Sequence, residues 1–196
     1  MKWFLNALRS VGDSFRLSAK EMKNTRSLVG VAMLCAINIV IGQFSITLSP
    51  TQKIGFSFLS VGVSGMLYGP VLTGMAGMIN DIIKFLLKPT GSFMIGFTLI
   101  EGLQGMFYGL FLYRHKVSLP RVFFTRLFIT VFLNLLLTPF FLWLYYGNGF
   151  IGLVAGRLIK NLISLPITTA VQFMLLRAIS EVPIIRSMRA RTMRLK

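Results

Sequence analysis

Hydrophobic and polar positions alternate along this chain in blocks rather than residue by residue. Solid apolar runs occupy about 27–46, 54–69, 70–87, 93–112, 122–146 and 151–176, and short polar or turn-rich segments separate most of them. A run of about 20 apolar residues is the length of one helical membrane crossing. A β-barrel would show alternation instead of unbroken runs, so the pattern predicts six transmembrane helices. The second and third runs meet at Gly69-Pro70. Glycine suits a helix end and proline a helix start, which predicts a tight helical hairpin there. The remaining connections, 47–53, 88–92, 113–121 and 147–150, carry Pro50, Pro89 and Gly91, Pro120, and Gly147 and Gly149, all turn residues. Ahead of the first run, Phe4, Leu8, Val11 and Phe15 recur at helical spacing among Lys2, Arg9, Arg16 and Lys20. That spacing reads either as an amphipathic helix on an anionic membrane surface or as a frayed basic tail. The expected organisation is therefore a basic cytoplasmic segment 1–26, a six-helix membrane domain 27–178 and a basic tail 179–196.

Composition agrees. Of 196 residues, 55% are hydrophobic and 13% charged. Soluble domains carry about 25% charged residues, so a soluble enzyme and a disordered chain are both excluded. One cysteine, Cys35, and one histidine, His115, exclude a disulfide framework and a cysteine- or histidine-rich metal site. The net charge of +16 would suggest nucleic acid in a soluble protein, but position gives another reading. With six spans and a cytoplasmic N-terminus, sixteen of the 21 cations fall on the cytoplasmic side and five, Lys53, Lys84, Lys88, Arg157 and Lys160, remain for the other. That asymmetry predicts a multi-pass cell-membrane protein with both termini cytoplasmic and no nucleic-acid partner.

Charges inside spans are costly and mark function by default. At a rise of about 1.5 Å per residue, Asp81 and Arg157 lie about 9 Å below the outer ends of their spans, Glu101 about 12 Å and Lys160 about 14 Å. Lys84 belongs to the same span as Asp81, and Gln43, Asn80, Thr98, Gln104 and Asn161 fall in or near the same layer. The layer reads as a polar pocket open to the outside and closed below by apolar packing. Its cations outnumber its acids, which favours an anionic ligand, and the acids suggest that the ligand also presents nitrogen donors. Pairing of Asp81 with Lys84 and of Glu101 with Arg157 is the structural alternative. Gly62, Gly65, Gly69, Gly74, Gly77, Gly102, Gly105 and Gly109 predict close helix packing within the bundle. Ala32 and Ala36 have the same small-residue spacing and face either the protein's own bundle or a partner. No phosphate-binding loop and no hydrolase or zinc motif is present, so neither ATP hydrolysis nor an enzyme is expected.

The stretch from Phe58 to Asp81, with Gly69-Pro70, Gly74 and Gly77, followed by Gly96-Phe97-Thr98-Leu99 and Tyr108-Gly109, resembles the S components of energy-coupling factor (ECF) vitamin transporters. Thr25-Arg26, Pro50-Thr51, the 157–160 segment with its Arg157 and Lys160, and Pro166 make it most similar to the folate-specific branch. The resemblance implies an all-α bundle of six helices that binds folate near the extracellular face. It implies contact of Ala32 and Ala36 with a transmembrane coupling subunit, and two separate ATPase subunits that use the ATP, with no cofactor in this chain. Folate suits the residues: a carboxylate can accept the adjacent amino group and ring N–H of a pterin, and cations can hold the glutamate carboxylates. The expected substrate residues are Asp81, Glu101, Arg157, Lys160, Lys84, Gln104, Asn161 and Arg26, with Phe56, Phe58, Phe93 and Phe97 as stacking candidates. Competing readings are an S component for another vitamin or small anionic metabolite, a small membrane enzyme acting on lipid head groups, and an assembly subunit without ligand.

Overall fold

A computed structural model describes residues 2–49, 52–89, 92–147, 150–183 and 185–186; the side chains of 2–10, 45–49, 52–54, 146, 150, 153 and 159 are not described. Helix α1 (Lys2–Glu21) precedes α2 (Thr25–Gln43), a hairpin of β1 (Ser45–Ser49) and β2 (Gln52–Gly55), α3 (Ser57–Leu87) and α4 (Ile95–Leu112). Helix α5 (Leu119–Ile129) runs through a π-helical segment, Thr130–Leu137, into α6 (Thr138–Tyr146), and α7 (Phe150–Glu181) completes the described bundle. Five helical stretches, Thr25–Gln43, Ser57–Leu87, Ile95–Leu112, Leu119–Tyr145 and Val154–Glu181, are long and apolar enough to cross a membrane. The second of these is two spans. Gly69 takes φ 81° and ψ −174°, a conformation open to glycine alone, and Pro70 starts the second arm. The Ser64 hydroxyl lies 3.1 Å from that of Thr73, so the two arms run side by side. Six apolar arms result among the described residues, in line with the six apolar runs.

Helix α4 packs along both arms of α3, and glycine makes this possible. A Cβ on Gly65 would stand 2.8 Å from the Gly109 nitrogen, and one on Gly109 or Gly105 would collide with the backbone of Pro70 or Thr73. The contact is backbone against backbone, which no larger residue permits. Around it Val61, Val63, Met66, Ile100, Tyr108, Leu112, Val122, Ile129, Leu133 and Leu176 form the main core. Outward faces carry exposed Val29, Met33, Val40, Phe124 and Leu162, the surface a bilayer would cover.

Three boundaries differ from the sequence reading. The first loop is an antiparallel hairpin, with Ser45 opposite Gly55, Ile46 opposite Ile54 and Thr47 opposite Lys53. Residues 44–46 and 54–56, expected as helix ends, instead satisfy their backbone groups by pairing across the loop or lie beside it. The fifth span is broken by its π segment, for which Pro139 supplies the cause. A proline ring clashes with the carbonyl four residues earlier and offers no N–H. Widening the turn relieves the clash, and the Thr138 N–H bonds to the Leu133 carbonyl five residues back. The third difference is α1, which is a helix but also a packed one. Ser14 and Ser18 are buried. Ser18 Oγ donates to the Tyr68 carbonyl at 2.8 Å and accepts from the N–H groups of Val71 at 3.0 Å and Leu72 at 3.4 Å. A side chain from α1 thus caps the second arm of α3, whose residue Pro70 has no donor of its own. Beside this cap, burial and the Glu21 carboxylate push the Tyr113 hydroxyl up to about 12.

Candidate functional site

The C-terminal end of α2, the second arm of α3, the start of α4 and the fifth span enclose a cavity of about 490 Å³ at one end of the bundle. Asp81, Lys84, Phe85 and Lys88 reach it from α3 and its end, Phe97, Ile100, Glu101 and Gln104 from α4, and Gly42, Gln43 and Gly55 from the first loop's flanks. Asp81 and Lys84 are three apart, as are Glu101 and Gln104, so each pair shares one helix face, and the two faces meet across the cavity. The Thr98 hydroxyl donates to Asp81 Oδ2 at 2.6 Å, and Lys84 Nζ donates to Ser57 Oγ at 3.1 Å. Among the described residues the one ion pair within 4.0 Å is Arg177–Glu181, far along α7. The two carboxylates and two ammonium groups therefore face the cavity without forming ion pairs among themselves.

An aromatic rim and a helix end complete the site. The rings of Phe85 and Phe93 meet with centroids 5.1 Å apart and tilted by 60°. Phe93, Ser92 and Met94 line the approach, and Met94 caps α4 with no side-chain hydrogen bond. The N-terminal end of α4, where a helix carries positive potential, therefore borders the cavity through Met94 and Phe97.

The expected site residues divide sharply. Asp81, Lys84, Glu101, Gln104 and Phe97 come together. Arg157, Lys160 and Asn161 lie on α7 and are not among the described residues lining the cavity. The lining found is balanced, two acids against Lys84 and Lys88, rather than in cationic surplus. Lys53 belongs to β2, with its side chain outside those described. Arg26 is exposed at the opposite end of α2 from Gly42, about 24 Å away at the helical rise. Phe56 precedes α3 without lining the cavity. Phe58 is buried deeper, under the Arg126 guanidinium at 4.2 Å from its ring centroid. That guanidinium, from within the fifth apolar run, turns inward and donates to the Tyr108 hydroxyl at 2.7 Å, which itself donates to Gln172 Oε1 at 3.1 Å. The floor expected to be purely apolar therefore contains a polar crossbar from α3 through α4 and α5 to α7. Cross-helix contacts of this kind follow from packing and leave no local pattern.

Sequence reasoning missed Phe85, Asn134 and Thr138 as lining residues. Asn134 belongs to the π segment, and Pro139 five residues on was the available signal. In the π register the donor for the Asn134 carbonyl would be residue 139, which has no N–H. The small residues Ala32 and Ala36 are exposed on the outward face of α2, so they do not pack inside this chain.

A family model described as the substrate-specific component of ECF transporters matches residues 26–176. A folate transporter FolT of Clostridium novyi (strain NT) is 34% identical over 146 residues, which cover 74% of this chain and 85% of that protein. A folate transporter FolT of Streptococcus mutans serotype c is 32% identical over 169 residues, covering 82% and 90%. A crystal structure of FolT bound with folic acid is similar at a TM-score of 0.73 and 32% identity, covering 79% of this chain and 95% of the other. Six packed apolar arms, a polar cavity at one end and a family match running from the first span into the last make this chain a member of the ECF transporter substrate-specific components.

Proposed function

We propose that this chain is the folate-binding subunit of an ECF-type importer. The observation that carries the reading is a cavity that brings together Asp81, Glu101, Lys84 and Lys88 with no ion pair among them. Ligand sites of drug-sized molecules span about 300–1,000 Å³, and about 490 Å³ falls within that range. Asp81, with one oxygen held by Thr98, presents its other oxygen to the amino group and ring N–H of a pterin, and Glu101 is the second acceptor. Phe97 and the Phe85–Phe93 pair supply ring faces for stacking. Lys84, Lys88 and the start of α4 attract the glutamate carboxylates, and Arg157 and Lys160 lie outside this inner set. The FolT relatives and the folic acid complex support the same ligand.

In this reading the cavity opens to the extracellular side of a bacterial cell membrane, because the ends of the bundle bearing the basic segments 1–26, 113–126 and 177–196 belong in the cytoplasm. Exposed Ala32 and Ala36 contact a transmembrane coupling subunit, and two partner ATPases supply the energy. The chain itself captures and carries, without cofactor or catalysis. The test is calorimetric titration of the purified chain with folic acid, a pterin fragment lacking glutamate, and riboflavin. Folic acid is expected to bind tightest and the fragment measurably. Equal or tighter binding of riboflavin overturns the assignment to folate.

A further inference from the structure

A second, much smaller cleft lies between α2 and the two arms of α3, below the substrate cavity. Leu34, Cys35, Asn38, Ser60, Ser64, Thr73 and Asn80 contribute to its walls, and its volume is about 10 Å³. Asn38 and Asn80 are 1% and 6% exposed, and the Oδ1 atom of each has no hydrogen-bond partner. Two orphaned acceptors in one narrow cleft are costly, because each has given up water without gaining a partner.

The orientation of the Asn38 amide is fixed by its donor side. Asn38 Nδ2 donates to the Ser57 carbonyl at 2.8 Å, and a flip would set oxygen against oxygen. Asn80 lines the cleft beside Cys35. Ser60 Oγ donates to the Leu34 carbonyl at 2.7 Å. Ser64 and Thr73 share one hydrogen bond at 3.1 Å. In that pair only one hydroxyl can donate, so the other keeps a proton without an acceptor. The cleft is thus short of two donors and one acceptor.

We infer that the cleft binds one water molecule, which donates to Asn38 Oδ1 and Asn80 Oδ1 and accepts from the spare hydroxyl of the Ser64–Thr73 pair. Buried waters make about three hydrogen bonds and need about 10–15 Å³, and the cleft offers both. A monovalent cation would also welcome neutral oxygens, but the charge nearby opposes it. Ser57 holds Asn38 by its carbonyl and Lys84 Nζ by its hydroxyl, so an ammonium sits one residue from the cleft. Two cations that close in a low dielectric repel strongly. The water forms a hydrated joint between the first span and the hairpin. Of the first span's residues, Ser27, Val31 and Asn38 are the buried ones, so this joint is a large part of its attachment.

The inference does not depend on the identity of the substrate, and its test needs none. A crystal structure of the wild-type protein near 2 Å resolution, grown with thallium replacing sodium and potassium, is expected to show a peak within hydrogen-bond distance of both Oδ1 atoms and no anomalous signal there. An empty cleft overturns the inference, and an anomalous peak replaces water with a cation. Melting temperatures in detergent give the second readout. Asn38→Leu and Asn80→Leu should each lower the melting temperature by about 2–8 °C, and the double variant by clearly less than the sum, because the two acceptors lose one shared water and not two separate ones. Strict additivity speaks against a shared molecule.

Discussion

At the scale of single residues, the site rests on how Asp81 is held. Thr98 donates to one of its oxygens, which fixes the carboxylate and leaves the second oxygen free to meet a ligand. Asp81→Asn preserves size but places an amide where the ligand also presents donors. A hydrogen bond to a charged group contributes about 1.5–3 kcal/mol, so affinity should fall roughly ten- to a hundredfold. The pterin fragment should lose as much as folic acid, because the glutamate tail lies elsewhere. Lys84→Gln should weaken folic acid more than the fragment. Titration of both ligands against both variants checks the assignment, and an Asp81→Asn variant that binds the fragment like wild type would transfer the ring-reading role to Glu101. These acids and Lys84 were legible in sequence because a charge in an apolar run stands out. Asn134 and Phe85 did not stand out: an asparagine and a phenylalanine in a span are ordinary until the backbone aims them.

At the scale of elements, the hairpin of α3 with α4 carries much of the buried core, and α1 packs against it. Ser18 caps the start of the second arm from outside the helix. Ser18→Ala leaves the Val71 and Leu72 N–H groups and the Tyr68 carbonyl without this partner. Loss of a cap costs about 0.5–2 kcal/mol, which predicts a melting temperature lower by about 2–8 °C. Folate affinity should change little, since the cap and the cavity lie at opposite ends of the hairpin. A thermal melt with and without ligand reads both, and unchanged stability would mean that α1 rests on the hairpin without supporting it. The hairpin itself was readable from Gly69-Pro70. The β1–β2 pairing was not, because short alternating residues such as Ser45–Ser49 carry little weight beside long apolar spans.

At the scale of the whole molecule, the cavity and the exposed small-residue face of α2 are separate. The cavity is built by α2, α3, α4 and the fifth span, whereas Ala32 and Ala36 lie on the outward side of α2. Replacing either alanine with phenylalanine should therefore block uptake by cells carrying the coupling module and leave folate affinity of the isolated chain within about twofold. Uptake assays paired with titration check this. Loss of binding together with uptake would show that the face supports the fold instead of a partner. On the proposed reading, capture belongs to one end and docking to one side.

The linear order of residues determined the class of the molecule for a simple reason: membrane solvent demands long apolar helices, and their lengths and interruptions are local properties of the chain. It also determined which charges are out of place, and hence that α3 and α4 bring Asp81, Lys84 and Glu101 to one depth. Depth follows from counting residues, but azimuth does not. Arg157 and Lys160 share that depth on α7, yet the packing leaves them outside the cavity lining. Arg126 and Phe58, on separate spans, meet only because α3 and α5 come together there. Tertiary structure decided these matters because the direction a side chain faces depends on which neighbours the helices choose, and that choice is made by glycine contacts and a proline-widened turn acting across the bundle.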